Sequence, residues 1–118
     1  MRVCLAERDA RWRYGLMTRV IVPRPIAWVL TGEVDGGLNL APFSYFNGIC
    51  SEPPLVSISI GKKPTGEQKD TWRNIGERED FVIHIPSAHH AAEVDGSGEA
   101  LAEGCLLYTS DAADDRSC

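Results

Sequence analysis

The chain has 118 residues, 43% of them hydrophobic and 25% charged, with a formal net charge of -5. That is room for one domain with one core. The acidic balance excludes a general nucleic-acid binder, which needs a basic face to neutralise phosphates. No apolar run approaches the roughly 18 residues of a membrane span. Arg2, Glu7, Arg8, Asp9 and Arg11 precede any long apolar segment, unlike a secretory signal peptide. The four cysteines are Cys4, Cys50, Cys105 and Cys118. They form no C-x-x-C pair, so reduced thiols in a cytoplasmic protein are expected, not a zinc site or disulfide framework.

In chain order, Arg11 to Met17 reads either as a helical turn or as an irregular lead-in. Val20 to Val22 begin an extended segment. Pro23 and Pro25 remove backbone donors and mark a strand edge or bend. Ile26 to Thr31 is rich in apolar and β-branched residues and reads as a strand. Asp35-Gly36-Gly37 signals a hairpin turn, after which Leu38 to Leu40 pair back. Ala41-Pro42 interrupts that strand, and Phe43 to Cys50 resumes as an aromatic-rich one. Glu52-Pro53-Pro54 forces a turn. Leu55 to Ile60 alternates, with Val56, Ile58 and Ile60 on the core face.

Lys69 to Arg78 reads as a helix. Its expected features are Asp70 as N-cap, Trp72 and Ile75 facing inward, and Arg73 paired with Glu77 at i, i+4. Phe81 to Ile85 is a further strand. Ser87 to Val94 is expected to form a short helix that Asp95-Gly96-Ser97-Gly98 breaks. Short strands, regular turns and one or two short helices predict a mainly β fold, a small barrel with Greek-key or meander connections.

Two clusters carry candidate chemistry. Ser57 and Ser59 put hydroxyls on one face of a strand that leads to Gly61, while Lys69 and Thr71 open the helix. A helix N-terminus presents free N–H groups and partial positive charge, which suits a phosphate. The same residues serve equally well as a solvated lysine and a first-turn threonine. Asn39, Ala41, Pro42 and Ser44 cluster at the strand interruption. There an amide that both donates and accepts fits the mixed edge of a heteroaromatic ring. Trp28, Phe43, Tyr45 and Phe46 either wall such a ring or fill the core. His84, His89 and His90 lack metal-ligand spacing, and no H-E-x-x-H, Walker or G-x-G-x-x-G pattern occurs.

Taken in order, several blocks resemble the flavin reductase-like family with the FMN-binding split-barrel fold. They are Pro23-Arg24-Pro25-Ile26-Ala27-Trp28-Val29, then Asn39 through Asn47, the Pro53-Pro54 turn, and Lys69-Asp70-Thr71 with Asn74. The resemblance runs from about Arg11 to Ser87. It implies a six-stranded Greek-key β-barrel that forms a homodimer, with FMN, or in some members FAD, near the interface. It implies Asn39, Ala41 and Ser44 beside the flavin and ribityl, with Pro42 of the same cluster a further cofactor-binding candidate. Ser59, Gly61, Lys69 and Thr71 fall around the phosphate, Arg24 and Trp28 in the opening motif, and Asn74 is a further cofactor-binding candidate. It implies hydride transfer from NAD(P)H to flavin, with a monooxygenase as a possible partner. The alternatives are an electron-transfer flavoprotein without its own NAD(P)H activity, or a non-catalytic fragment that has lost flavin.

The tail reads differently. Cys105 to Asp114 resembles the conceptual translation of a transposase-type sequencing adapter. The expectation is therefore an incomplete domain over 1–104, followed by a non-native tail over 105–118.

Overall fold

The computed structural model describes residues 1–98. A 3-10 turn, Leu5–Glu7, precedes helix α1, Ala10–Val20. The Asp9 carboxylate caps α1 by accepting the Trp12 N–H at 2.7 Å. The lead-in is therefore a full helix. Val20, expected in an extended segment, is its last residue. Helical spacing wins there because the chain reaches Pro23 only after Ile21 and Val22, which leaves the i to i-4 ladder unbroken through Val20.

Strands β1 (Ala27–Gly32) and β2 (Leu38–Phe43) form an antiparallel hairpin. Its turn is the predicted one. The Gly36 N–H donates to the Glu33 carbonyl at 3.0 Å, and the Glu33 N–H donates to the Gly37 carbonyl at 2.7 Å. Gly36 takes φ +94°, a conformation that glycine adopts without a Cβ penalty. Strand β5 (Val82–His84) returns to lie antiparallel on the other side of β1, giving the order β2-β1-β5. That long return past two intervening strands is the connection a Greek key uses. Strands β3 (Phe46–Ser51) and β4 (Pro54–Ile58) form a separate antiparallel ribbon with a register shift between Gly48 and Cys50.

The predicted break at Ala41-Pro42 does not occur. Strand β2 runs through both residues, and the chain bends instead at Ser44 and Tyr45. β2 is an edge strand, so a residue without an N–H is tolerated in it. Helix α2 spans Asp70–Arg78 and α3 spans Ala91–Ser97, the latter after a 3-10 turn at Ala88–His90. α3 continues through Asp95 and Gly96, where a break was expected. The described residues thus hold three α-helices, more than the one or two anticipated. Five strands in two antiparallel sheets make the fold mainly β.

The core is small. Ala27 and Val29 of β1 and Phe43 of β2 are buried, with Ala41, Phe46, Ile58, Ile60 and Ile83 packed against them. Val56, predicted on the core face of its strand, is exposed, as are Leu55 and Ile49. The β3–β4 ribbon presents that apolar surface outward.

Candidate functional site

Strand alternation divides the β1–β2 hairpin into two faces. Ala27, Val29 and Thr31 point one way, opposite Phe43, Ala41 and Asn39 in register. Trp28 and Leu30 point the other way, opposite Pro42 and Leu40. Helix α2 covers the first face, and α3 covers the second. The candidate residues are therefore split between two walls.

On the α2 face, the Asn39 amide donates to the Thr71 hydroxyl at 2.9 Å. The Asn74 amide donates to the Thr31 hydroxyl at 3.0 Å. Thr31, Thr71 and Asn74 are all almost completely buried. Two clusters that look independent in sequence, one at Asn39 and one at Thr71, therefore share a hydrogen bond. Lys69 also reaches this wall, its Nζ 5.6 Å from the centre of the Phe43 ring.

The inward face of α2 differs from the predicted one. Trp72 is exposed, while polar Thr71 and Asn74 turn in. The Thr71 hydroxyl accepts from Asn39 and the Asn74 amide donates to Thr31, and these bonds to β2 and β1 offset the cost of burying the two polar side chains. Lys69, not Asp70, occupies the N-cap position, and among the described residues no side chain caps the helix. Asp70 begins the first turn. Its Oδ1 lies 3.1 Å from Lys63 Nζ and 3.4 Å from Arg73 Nη1. Arg73 thus pairs with Asp70 at i, i+3, where Glu77 was the expected partner.

The result is a helix N-terminus with no side-chain cap, in contrast to α1 with its Asp9. Lys69 stands at its start, and Lys63 and Arg73 flank it. Free first-turn N–H groups and nearby cations are the donor set a phosphate needs. Lys63 and Arg73 were not among the candidates. Lys63 sits in a loop, and only the turn formed by Lys63 and Gly66, with the Gly66 N–H donating to the Lys63 carbonyl at 2.8 Å, brings it back to α2.

On the α3 face, Trp28 Nε1 donates to the Ser97 hydroxyl at 2.9 Å, and that hydroxyl donates to the Val94 carbonyl at 2.8 Å. The Trp28 ring lies edge-on to His84, with centroids 6.5 Å apart, and tilted towards His90 at 6.0 Å. Beside it is a hollow of about 420 Å³ lined by Ile26, Pro42, Ser44, Val94, Asp95 and Gly98. Pro42 and Ser44 therefore face a different space from Asn39, Lys69 and Thr71. Ala41 is partly buried against the core.

The remaining candidates lie apart from both walls. The Arg24 guanidinium stacks 5.2 Å from the Tyr45 ring centre, and its buried Nη1 has no hydrogen-bond partner among the described residues. Ser59 and Gly61 follow β4 on an exposed stretch, where the Ser59 N–H donates to the Tyr45 carbonyl at 2.9 Å. Cys4 and Cys50 are free thiols. Cys105 and Cys118, with the rest of the adapter-like tail, lie outside the described residues. No helix among the described residues is long and apolar enough to cross a membrane, and they contain no cluster suited to a metal ion.

Comparison with known proteins follows the same lines. The model of the flavin reductase like domain matches residues 17–111. A protein of Halalkalibacterium halodurans is 44% identical over 88 residues, covering 75% of this chain and 42% of its own length. Component B of nitrilotriacetate monooxygenase from Bacillus cereus superposes with TM-score 0.82 at 34% identity, over 94% of this chain and 58% of that one. A Shewanella frigidimarina protein with a split barrel domain superposes with TM-score 0.69 at 16% identity, over 96% of this chain and 61% of that one. The fold is thus of the split-barrel kind. The chain spans less than half the length of the curated relatives it matches.

Proposed function

The chain belongs to the flavin reductase-like domain family, and from that membership we propose that the whole protein is an FMN-dependent oxidoreductase. In this reading it transfers hydride from NADH or NADPH to flavin. The observation that carries the reading is the uncapped start of α2, with Lys69 at the N-cap and Lys63 and Arg73 beside it.

Those groups fit the phosphate of FMN. The first-turn N–H groups of α2 would hold it by hydrogen bonds, and Lys69 would add a point charge. Asn39 and Thr71, joined to each other, would fix the wall beside the ribityl chain. Pro42 and Ser44 would border the hollow that admits the flat ring, with Trp28 behind them and Arg24 at the entrance to the strand. Ser59 and Gly61 would complete the set from the open side, and Asn74 would support it from within the seam between α2 and β1. When bound, the flavin ring supplies the hydride acceptor. The chain contributes binding, orientation and water exclusion, with no covalent step of its own.

The wider assignment follows the same resemblance. It comprises a homodimer, a cytoplasmic location, FAD as the alternative flavin, and reduced flavin delivered to a monooxygenase partner. The domain is taken as 1–104, with 105–118 as non-native sequence.

The test is a turnover assay. The protein should oxidise NADH or NADPH when FMN is added, and its flavin fluorescence should quench on binding. A protein that binds FMN but is reduced by neither nicotinamide would be an electron carrier, which overturns the reductase reading. Lys69→Ala should weaken FMN about tenfold more than riboflavin, since only FMN has the phosphate that a charge-assisted bond can hold. Equal weakening of both would remove Lys69 from the phosphate site.

A further inference from the structure

Four side chains from three elements meet in the seam between α2 and the hairpin. Thr31 of β1 and Asn39 of β2 are directly opposed in register. Thr71 and Asn74 lie three residues apart on α2 and so share one face. Each strand residue bonds one helix residue, at 2.9 Å for Asn39–Thr71 and 3.0 Å for Thr31–Asn74. Two bridges attached at two points along a helix resist rotation about its axis. Apolar packing has no such directionality.

Asn74 is a poor choice if the aim is stability alone. Its amide nitrogen is used by Thr31, but its Oδ1 is buried and accepts nothing among the described residues. A leucine there would bury more apolar surface and leave no orphaned acceptor. What the asparagine supplies is a directional tie to a fixed point on β1. Trp72 and Gly76 on the outer side of α2 are exposed and Ile75 is half-buried.

We propose that Thr31 and Asn74 are positioning residues for the anion site at the start of α2. They set the helix's rotation on the hairpin and so aim Lys69 and the first-turn N–H groups. A turn of about 20° about the axis would carry a side-chain end, about 5 Å out, by nearly 2 Å. That is enough to exchange a hydrogen bond for a gap. Thr31 is not a ligand contact in this account. It acts through Asn74. The inference rests on the reading that this helix end receives the phosphate of FMN.

The test measures dissociation constants for FMN and for riboflavin by fluorescence quenching, together with thermal unfolding, on the full chain. The proteins are wild type, Thr31→Ser, Thr31→Val and the double variant Thr31→Val with Asn74→Leu. Thr31→Ser keeps the hydroxyl and should keep the preference for FMN within about twofold. Thr31→Val should cut that preference about five- to tenfold, the equivalent of one directional bond. The double variant removes the unpaired amide, so its melting temperature should recover while its preference for FMN stays low.

A double variant that recovers stability and preference together would show a merely structural role and overturn the inference. A Thr31→Val protein with undiminished preference would do the same. If wild type itself binds FMN and riboflavin equally, the phosphate reading falls, and the aiming role falls with it. If wild type prefers FMN and only the Thr31 variants fail to respond, the positioning claim alone is lost.

Discussion

The two faces of the β1–β2 hairpin use interleaved residues of the same strands and reach opposite solutions. On the α2 face, polar side chains are spent on one another, with Asn39 on Thr71 and Asn74 on Thr31, and little open space remains between them. On the α3 face, Trp28 ties the sheet to Ser97, and a hollow stays open beside Pro42 and Ser44. One wall is fixed by directional bonds, and the groups proposed to hold the phosphate stand at its rim. The other is a shaped space bordered by side chains with unspent surface. In the proposed reading the charged end of the ligand meets the fixed donors and the flat end takes the open room, since charge recognition needs fixed donors and ring recognition needs room.

The contrast can be broken most directly on the α2 face. Asn74→Ala should lower the unfolding free energy by about 2 kcal/mol, because it leaves the Thr31 hydroxyl buried and unpaired. Denaturant titration would measure this. A loss no larger than that from a change on the α3 face would mean the two faces are equally fixed.

The turn that keeps the faces apart should rank next. Gly36→Ala forces a Cβ into a left-handed conformation at roughly 1–2 kcal/mol. Nothing lies within 4 Å of that Cβ, so the loss would come from the backbone alone. Trp28→Phe removes the donor to Ser97 and should lose about 1 kcal/mol. Ser97→Ala should lose a similar amount, and the two should be non-additive in a double-mutant cycle. Independent effects would mean that this bond does not hold α3.

The smallest effect is expected at the rim. Lys63→Ala breaks a partly exposed pair with Asp70 and should change stability by about 0.5 kcal/mol or less, with the difference fading as salt is added. A large, salt-independent loss would place Lys63 in the fixed wall instead.

Much of the framework is legible in the sequence because it depends on local chemistry. Asp35-Gly36-Gly37 had to turn, since glycine at positive φ is available there. The Glu52-Pro53-Pro54 turn and the helix after Lys69 follow from equally local rules. What escaped depends on partners distant in the chain. The inward face of α2 was assigned by apolarity, which favours Trp72. Thr71 and Asn74 turn in instead because Asn39 and Thr31, more than thirty residues away, hydrogen-bond them, Asn39 donating to Thr71 and Thr31 accepting from Asn74. Pro42 was taken as a strand break because its missing N–H is costly in a central strand, and only the strand order reveals it on an edge.

The sequence names candidate residues for a site, but not how they are arranged. Asn39 and Pro42 are close in sequence, but alternation turns them towards opposite walls. Lys63 and Arg73 escaped because a loop and an acidic residue brought them together. The exposure of Val56 on the β3–β4 ribbon was equally invisible to a pattern that assigns its whole alternating stripe to the core, although Ile58 and Ile60 of that stripe do pack inward.

The hairpin register has a consequence for how such chains can lengthen. One residue inserted between Gly36 and Asn39 would shift β2 by an odd step against β1 and exchange the directions of all its side chains. Asn39 would then meet α3, and Pro42 would be driven against Thr71. An insertion of two would leave every side chain on its own wall. Length changes in this turn should therefore be tolerated by parity, even ones passing and odd ones scrambling both walls at once.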